Sequence, residues 1–449
     1  MFKSINPYTQ QIIGSFPETD KNETLGRIEL ASKQLKYWRK TSHEERALKL
    51  NKMADLLSVR KSELANIITA EMGKVISESL AEIDKCIATL RYYALHNQRI
   101  LNNQPIDYEG KFAKVQAEPL GVVFGVMPWN FPFWQVVRFA VPAWVVGNTV
   151  LLKPAPNVCG CSLALESIVN EAAGFGLLQC LLLPNDMVEE VIAHPAIAAV
   201  SFTGSGATGS IIAAMAGKNL KKTVLELGGS DALLVLPDAD INLAASIATK
   251  SRMINAGQSC IAAKRIIVHV AVAEKFIAHV ITKIGALQTG DPTIPETSIG
   301  PMARLDLAEK LEQQLNDSLA GGAKLIIGGK RTQCLFEPTL ITGVKPGMPA
   351  FDEETFGPLM AIVIAGSEEE MIDRANQSVY GLGGSIFTND MEKASILAER
   401  MECGSVFINA LVRSDARWPM GGVKKSGYGR ELSTYGVMEF CNLKSVIAD

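Results

Sequence analysis

Hydrophobic and polar positions alternate with a helical period over much of residues 20–100. Leu25, Ile28, Ala31 and Leu35 recur at intervals of three or four residues, which places them on one face of a helix. The pattern therefore predicts a group of amphipathic helices near the start of the chain.

After residue 100 the pattern changes to short apolar runs that are typical of strands. Alternating residues around Tyr108-Glu109-Gly110 predict a β-hairpin near residues 102–119. Strand and helix then alternate, which favours parallel, doubly wound sheets. The predicted buried strands lie at 121–127, 148–153, 198–203, 233–236, 266–268, 360–364 and 406–409.

Length and charge narrow the class of protein. With 449 residues, 47% of them hydrophobic, the chain exceeds one compact core, so we expect an α/β protein with two doubly wound parallel-sheet domains and a small β element. Its 44 basic and 47 acidic residues do not favour nucleic acid as a partner.

The apolar run at 139–152 is interrupted by Pro142 and Gly147, which excludes a membrane span there. The first residues do not resemble a leader, so we expect a cytoplasmic protein.

The eight cysteines are scattered along the chain and do not form a disulfide framework. Cys159-Gly160-Cys161 is the only close pair. A metal site would need a second pair or a nearby histidine pair, and the sequence offers neither. Two small buried thiols explain the pair more simply, and we predict no metal.

Chemistry is indicated by Cys260, which follows the small and polar residues 255–259. A cysteine nucleophile needs a base and open backbone for its substrate. Glu226 lies 34 residues upstream in an apolar and glycine-rich frame and is a candidate base. Neither residue is decisive alone.

In this order, Cys260 and Glu226 resemble the nucleophile and general base of the aldehyde dehydrogenase superfamily. Residues 127–132, Met-Pro-Trp-Asn-Phe-Pro, are similar to that family's Pro-Trp-Asn-Phe-Pro signature. The resemblance extends from Asn6-Pro7 to Glu431. It implies a Cys260 thiohemiacetal and then a thioester, with water activated by Glu226. It also implies an oxyanion site formed by the Asn130 amide and the Cys260 backbone N–H.

The turn at residues 202–209 follows a predicted strand and opens a helix, a weak signal for phosphate binding when taken alone. It resembles the family's dinucleotide motif, and the resemblance implies NAD or NADP as cofactor. Many NAD-preferring relatives carry a glutamate where this chain has Pro156; without that carboxylate a 2'-phosphate is not repelled. The implied cofactor-binding residues are Met127, Trp129, Lys153, Pro156, Phe202, Gly204, Ser205, Leu227, Glu354 and Phe356.

Arg138, eight residues after Asn130, suggests a substrate with a distal carboxylate, because guanidinium pairs with carboxylate in a fixed fork. Succinate-semialdehyde dehydrogenases carry an arginine at this place. Their second arginine is replaced here by Ile254, and the sequence instead resembles a shorter bacterial subgroup in which Ser414, with Arg413, completes the carboxylate site. The predicted reaction is NAD(P)-dependent oxidation of succinate semialdehyde to succinate.

Three alternatives stay open. The first is a general aldehyde dehydrogenase for uncharged or other ω-carboxy aldehydes, such as glutarate semialdehyde. The second is a CoA-acylating dehydrogenase, which the retained Glu226 disfavours. The third is a non-catalytic protein, which the joint presence of Cys260, Glu226 and Asn130 disfavours.

The predicted organisation has three parts. Residues 1–101 and 120–227 form a dinucleotide-binding domain, and residues 228–425 form a catalytic domain. Residues 102–119 and 426–449 resemble the family's bridging strands, which implies a homodimer or homotetramer. The expected partner is otherwise a small-molecule aldehyde, with no nucleic acid and no membrane.

Overall fold

The computed structural model describes residues 1–101, 104–109 and 111–448. The helices, in chain order, are α1 (Lys21–Trp38), α2 (His43–Val59), α3 (Lys61–Met72), α4 (Ile76–Ile100), α5 (Trp134–Val146), α6 (Cys159–Ala173), α7 (Val188–Ala193), α8 (Gly206–Lys218), α9 (Ile241–Met253), α10 (Val270–Gly285), α11 (Leu305–Ala320), α12 (Pro349–Asp352), α13 (Glu368–Asn376), α14 (Met391–Arg400) and α15 (Ser433–Glu439).

The strands, in chain order, are β1 (Phe2–Ile5), β2 (Ile12–Phe16), β3 (Gln104–Pro105), β4 (Ala113–Pro119), β5 (Val122–Val126), β6 (Thr149–Lys153), β7 (Leu178–Cys180), β8 (Ile197–Thr203), β9 (Lys222–Glu226), β10 (Asp231–Val235), β11 (Ala263–His269), β12 (Lys324–Ile327), β13 (Arg331–Thr332), β14 (Leu335–Phe336), β15 (Thr339–Thr342), β16 (Leu359–Ala365), β17 (Tyr380–Gly381), β18 (Gly384–Phe387), β19 (Val406–Ile408), β20 (Val423–Lys424), β21 (Gly427–Tyr428) and β22 (Cys441–Ile447).

A six-stranded sheet has the order β21-β9-β8-β5-β6-β7 and is parallel except for β21. From β5 the chain proceeds to β6 and β7 on one side, and then returns to β8 and β9 on the other. This reversal opens a crevice at the carboxyl ends of β5 and β8, the place where doubly wound sheets bind ligands.

A seven-stranded sheet has the order β12-β15-β16-β11-β10-β18-β19 and is parallel except for β12 at one edge. Its central strands are buried on both faces, which explains the apolar runs within them. Together the two sheets confirm the predicted α/β class with two doubly wound parallel sheets.

The short connection at residues 227–230 carries the chain from β9 in the first sheet to β10 in the second. It leaves the carboxyl end of one strand and enters the amino end of the other. Because β11 begins at Ala263 beside β10, the preceding residues, Cys260 among them, lie at the amino edge of the second sheet. The carboxyl edge of the first sheet and the amino edge of the second therefore meet at the candidate site.

A separate antiparallel sheet is formed by β22, β4 and β3, with Cys441 opposite Pro119 and Ile447 opposite Ala113. Tyr108 forms a bridge to Lys111, while residues 102, 103, 110 and 449 of the predicted bridging segments lie outside the described residues. One part of the predicted organisation is wrong. Residues 426–449 do not all belong to this element, because β21 pairs with β9 and extends the six-stranded sheet.

Helix α5 fills the space between the first sheet and the helices α2 and α4, and every residue in it is buried. Its amino end is capped by Glu82 of α4, which accepts from the backbone N–H groups of Phe133 and Trp134 at 2.9 and 3.0 Å. A carboxylate at this end also interacts favourably with the positive end of the helix dipole. No helix in the described part of the chain is long and apolar enough to cross a membrane.

Glu71 of α3 holds the turn that follows β6. It accepts from the backbone N–H groups of Gly160 and Cys161 at 2.9 Å each, and from Ser4 Oγ at 2.6 Å. Its side chain is 3% exposed, so its charge is stabilised by these donors and by the amino end of α6.

We expect Glu71→Ala to lower the free energy of unfolding by about 2–4 kcal/mol, because it leaves buried donors without acceptors. Urea unfolding followed by tryptophan fluorescence measures the change. The matched control is Glu63→Ala on the same helix, whose exposed ion pair with Arg60 should contribute less than about 1 kcal/mol. Equal midpoints for the two variants would contradict the capping role.

Candidate active site

A cavity of about 920 Å³ lies between the two sheets and reaches Cys260. Residues from both sheets line it, so it forms only because the two edges face each other. The predicted site residues that line this cavity are Trp129, Asn130, Gly204, Ser205, Leu227, Cys260, Glu354 and Phe356.

The turn before Cys260 has an uncommon backbone. Asn255, Ala256 and Gly257 have φ of 55°, 50° and 73°, in the left-handed region that L-residues rarely adopt. A side chain on Gly257 would overlap the backbone carbonyl of Gly357. The small residues read from the sequence are therefore required by a tight approach of two backbone segments.

Buried polar groups hold this turn in place. Glu78 of α4 accepts from the backbone N–H of Asn255 at 2.9 Å. The guanidinium of Arg252, fully buried, donates to the carbonyl oxygens of Gly257, Thr355 and Leu359, the last at 2.6 Å. Arg252 thus joins the turn before Cys260 to the segment that carries Glu354 and Phe356.

Lys264 contacts the backbone at Cys260. Its ammonium donates to the carbonyl oxygens of Ser259 and Cys260 at 2.7 and 2.6 Å, and lies 3.5 Å from Glu354 Oε1. Burial raises the pKa of the Cys260 thiol to about 11, while the charges of Arg138 and Lys264 oppose that rise. The thiol is therefore neutral near pH 7 in this arrangement.

The side chain of Asn130 is fixed at the cavity wall near the nucleophile turn. Its Nδ2 donates to the Gln258 carbonyl oxygen at 3.1 Å, and Gln135 Nε2 donates to its Oδ1 at 3.3 Å. Asn255 Nδ2 donates to the Asn130 carbonyl oxygen at 2.8 Å. The loop after β5 and the turn before Cys260 are thereby locked together.

Glu226 ends β9 and is 2% exposed. Neither of its carboxylate oxygens has a hydrogen-bond partner among the described residues. Burial raises the pKa of Glu226 to about 8, Arg138 opposes this rise and Glu431 adds to it. A carboxyl group with this pKa can exchange a proton near neutral pH.

Arg138, the predicted substrate anchor, is buried in the structure. Its side chain is 1% exposed and forms an ion pair with Glu431. Its Nη2 donates to Thr203 Oγ1 at 3.2 Å, and its Nη1 contacts the Met420 sulfur at 3.3 Å. Arg138 is therefore a buried charge near Glu226 and Cys260, and its role as a carboxylate clamp stays a prediction.

Arg413 and Ser414 lie in the loop between β19 and β20. Arg413 is exposed, stacks on Trp418 with 5.8 Å between guanidinium and ring centroid, and lines a small cavity with Ile261, the residue after Cys260. Ser414 is 7% exposed and accepts from Lys85 Nζ at 2.6 Å. The structure thus brings this loop close to the nucleophile.

The predicted cofactor residues fall into two groups. Glu354 accepts from the Gly229 backbone N–H at 3.0 Å, and the ring of Phe356 meets that of Trp129 edge to face at 5.8 Å. Ser205 caps the amino end of α8, which opens into the cavity. The other group does not line this cavity: Met127, Lys153, Pro156 and Phe202.

Phe202 in particular packs against the turn at Gly204. It is 3% exposed, and its ring lies where a side chain on Gly204 would be. Lys153 ends β6 and is 5% exposed, whereas Pro156 is exposed on the following turn. Phe202 therefore has a packing role in this structure, and its predicted contact with a cofactor stays a prediction.

Several cavity residues escaped sequence analysis. Lys310, Lys424, Lys425 and Tyr428 line the same cavity and come from distant parts of the chain. They are brought to the site by tertiary packing.

The chain matches the model of the Aldehyde dehydrogenase family over residues 1–446, and it belongs to that family. It is 43% identical over 450 residues to the succinate semialdehyde dehydrogenase (NAD(P)+) Sad of Escherichia coli (strain K12), covering 99% of this chain and 97% of that protein. It is 40% identical over 455 residues to succinate-semialdehyde dehydrogenase (NADP(+)) 1 of Mycobacterium tuberculosis (strain H37Rv), covering 99% and 98%.

Among solved structures, it is similar to succinic semialdehyde dehydrogenase from Streptococcus pyogenes in complex with NADP+. The TM-score is 0.97 and the sequences are 36% identical, with 99% of each chain covered. The family membership expected from the cysteine, glutamate and asparagine motifs is thereby confirmed.

We expect the alkylation rate of Cys260 to rise about tenfold per pH unit from about pH 7 to pH 10, because only the thiolate reacts and its fraction is small below the raised pKa. Iodoacetamide labelling read by mass spectrometry measures this rate. Cys260→Ser gives the background from the other seven thiols. A rate that levels off near pH 8 would show that the thiol is already ionised.

Proposed function

We propose that this protein oxidises succinate semialdehyde to succinate with NAD or NADP. The observation that carries the proposal is the single cavity in which Cys260 and Asn130 face the same space as the amino end of α8. A nucleophile, an oxyanion donor and a phosphate-binding helix end together serve aldehyde oxidation. The similarity to succinate-semialdehyde dehydrogenases supports the choice of substrate.

In the proposed reaction, the Cys260 thiol gives its proton to solvent water and the thiolate sulfur attacks the aldehyde carbon. The Asn130 amide, with the backbone N–H of Cys260, stabilises the oxyanion of the resulting thiohemiacetal. Lys264 and Arg138 favour the thiolate because their charges lower the thiol pKa. Lys264 also fixes the Cys260 carbonyl and so orients the backbone that carries the Cys260 side chain.

Glu226 is the proposed base for hydrolysis of the thioester. Its carboxylate has no hydrogen-bond partner among the described residues, so rotation breaks no bond. A glycine at position 421 leaves room for it, since a side chain there would lie 2.8 Å from Glu226 Oε1. The base accepts a proton from water, and the acid product leaves as the thiol is restored.

The residues present fit a nicotinamide dinucleotide. The amino end of α8 opens into the cavity beside Gly204 and Ser205, and Lys425 adds positive charge, an arrangement suited to a pyrophosphate. Glu354 would hold the ribose next to the nicotinamide, whose role is to accept the hydride. Pro156 supports use of NADP, because it places no carboxylate against a 2'-phosphate.

The remaining parts of the proposal concern assembly, location and organisation. The exposed antiparallel sheet of β3, β4 and β22 supports a homodimer or homotetramer, since an open sheet edge favours pairing. All eight cysteines are free, which supports a reducing compartment such as the cytoplasm. The division at residue 227 into cofactor-binding and catalytic domains is supported by the passage of the chain between sheets.

We expect kcat/KM for succinate semialdehyde to exceed that for butanal by about 10- to 100-fold, because a bound carboxylate adds a charged hydrogen bond of about 1.5–3 kcal/mol. Absorbance of the reduced cofactor, with NAD+ and NADP+ in parallel, measures both rates. Equal or faster use of butanal would indicate a general aldehyde dehydrogenase. Inactivity with NADP+ would contradict the argument from Pro156.

We expect Glu226→Gln to lower kcat by about 10²- to 10⁴-fold while a first burst of one reduced cofactor per active site remains. Hydrolysis of the thioester needs the base, whereas hydride transfer takes place before that hydrolysis. In the wild type kcat should rise through pH 8 as Glu226 loses its proton, and the variant should lack this rise. Loss of the burst would contradict this division of roles.

A further inference from the structure

Helix α4 carries two carboxylates one turn apart, Glu78 and Glu82. Like charges at this spacing repel each other, so the two residues do not stabilise the helix itself. Lys74, four residues before Glu78, lessens the repulsion because it forms a buried ion pair with Glu82. Burial raises the pKa of Glu78 to about 7, and the charge of Lys74 opposes this rise. Both carboxylates accept hydrogen bonds from segments outside the helix, and those segments carry residues of the candidate site.

Glu82 holds the segment that carries Asn130. Its Oε1 accepts from the backbone N–H groups of residues 133–134, three and four positions after Asn130. Lys74, the ion-pair partner of Glu82, has its Nζ 3.7 Å from the centroid of the Phe131 ring, where the face of the ring attracts a cation. The ion pair therefore fixes the position of the Asn130 segment relative to α4.

Glu78 holds the turn that leads to Cys260. Its Oε2 accepts from the Asn255 backbone N–H at 2.9 Å. Because the φ of Asn255 is 55°, a conformation that costs energy for an L-residue, the turn needs contacts from outside to keep its shape. Asn255 Nδ2 donates in turn to the carbonyl oxygens of Asn130 and Gln258 at 2.8 and 3.1 Å. Asn255 thus connects Glu78 to both sides of the site.

We propose that Glu78 is a positioning residue for oxyanion stabilisation. The inference rests on the proposed function, because it concerns the two donors named there, the Asn130 amide and the Cys260 backbone N–H. These donors belong to separate segments of the chain. Helix α4 is fixed to the first segment by Glu82, and Glu78 fixes the second segment to the same helix.

The distance between the two donors decides how well they stabilise an oxyanion. Preorganised donors are effective because they do not rearrange as the charge develops, and a displacement of about 1 Å can cost a factor of about 10² in rate. Glu78 does not line the cavity. It therefore acts through the Asn255 turn and does not contact the reacting atoms.

Two substitutions separate the reach of Glu78 from its charge. Glu78→Asp keeps the charge and draws the acceptor back from Asn255 by one methylene. Glu78→Gln loses the charge and keeps an oxygen that accepts from the Asn255 N–H. Both changes are small, and unfolding midpoints show that each variant is folded.

Two reactions of Cys260 then report on the site without aldehyde or cofactor. With p-nitrophenyl acetate the thiolate attacks the ester carbonyl, an oxyanion forms, and p-nitrophenolate leaves, so the first acylation is followed by its absorbance. With iodoacetamide the sulfur displaces iodide and no oxyanion forms. Only the acylation needs the oxyanion donors, and Cys260→Ser gives the background of both reactions.

We expect Glu78→Asp to slow acylation of Cys260 about 10- to 100-fold, with alkylation within about threefold of the wild type. Glu78→Gln should keep both rates within about threefold, because the acceptor stays in place. The matched control is Asp84→Ala on the same helix, whose exposed ion pair with Lys61 involves neither segment. It should react like the wild type in both assays.

A double-mutant cycle tests whether Glu78 acts through the oxyanion donors. Asn130→Ala should itself slow acylation, and Glu78→Asp should have a smaller further effect in that background than in the wild type. Equal factors in the two backgrounds would overturn the assignment. So would unchanged acylation in Glu78→Asp, or an equal slowing of acylation and alkylation, which would indicate a change in thiol ionisation or access.

The outcome is separate from that of the proposed function. A wild type that does not oxidise succinate semialdehyde would contradict the proposed function, while the acylation and alkylation rates would still decide the role of Glu78. A wild type whose Cys260 is alkylated but not acylated would overturn the oxyanion site and this inference with it.

Discussion

The buried guanidinium of Arg252 is the contact on which the site depends. It donates hydrogen bonds to carbonyl groups of two segments that are far apart in sequence. One is the left-handed turn before Cys260, and the other is the stretch of residues after Glu354. A fully buried charge is costly unless its donors are satisfied, so the carbonyl oxygens must stay where they are. The same contact that stabilises the fold therefore fixes the spacing between Cys260 and Glu354.

Charge around the nucleophile is balanced rather than simply positive. Arg138 and Lys264 favour the thiolate, while Glu226 and Glu354 disfavour it, and burial opposes every ionised form. The pairing of Arg138 with Glu431 limits how much of that positive charge the thiol experiences. A neutral thiol and a protonatable base are the resting state that this balance produces, which protects the cysteine from indiscriminate reaction.

Much of the fold was readable because its central strands contain short apolar runs, and β5, β6, β8 and β11 lie where those runs predict them. Strands such as β18, Gly384–Phe387, were not readable, since a short run with glycine and serine becomes a strand only through its neighbours. The proposed nucleophile, base and oxyanion residues are predicted from motifs. The partner of Arg138 is not, because Glu431 lies 293 residues away and only packing brings the two together.

The last part of the chain completes the walls of the site. Gly421 faces Glu226, Gly427 pairs beside it in the first sheet, and Glu431 neutralises Arg138. Because these contacts join residues that are far apart in sequence, loop-closure entropy opposes them until the intervening elements have folded. Packing of this segment against the first sheet is therefore the folding step that gives Cys260 and Glu226 their final surroundings.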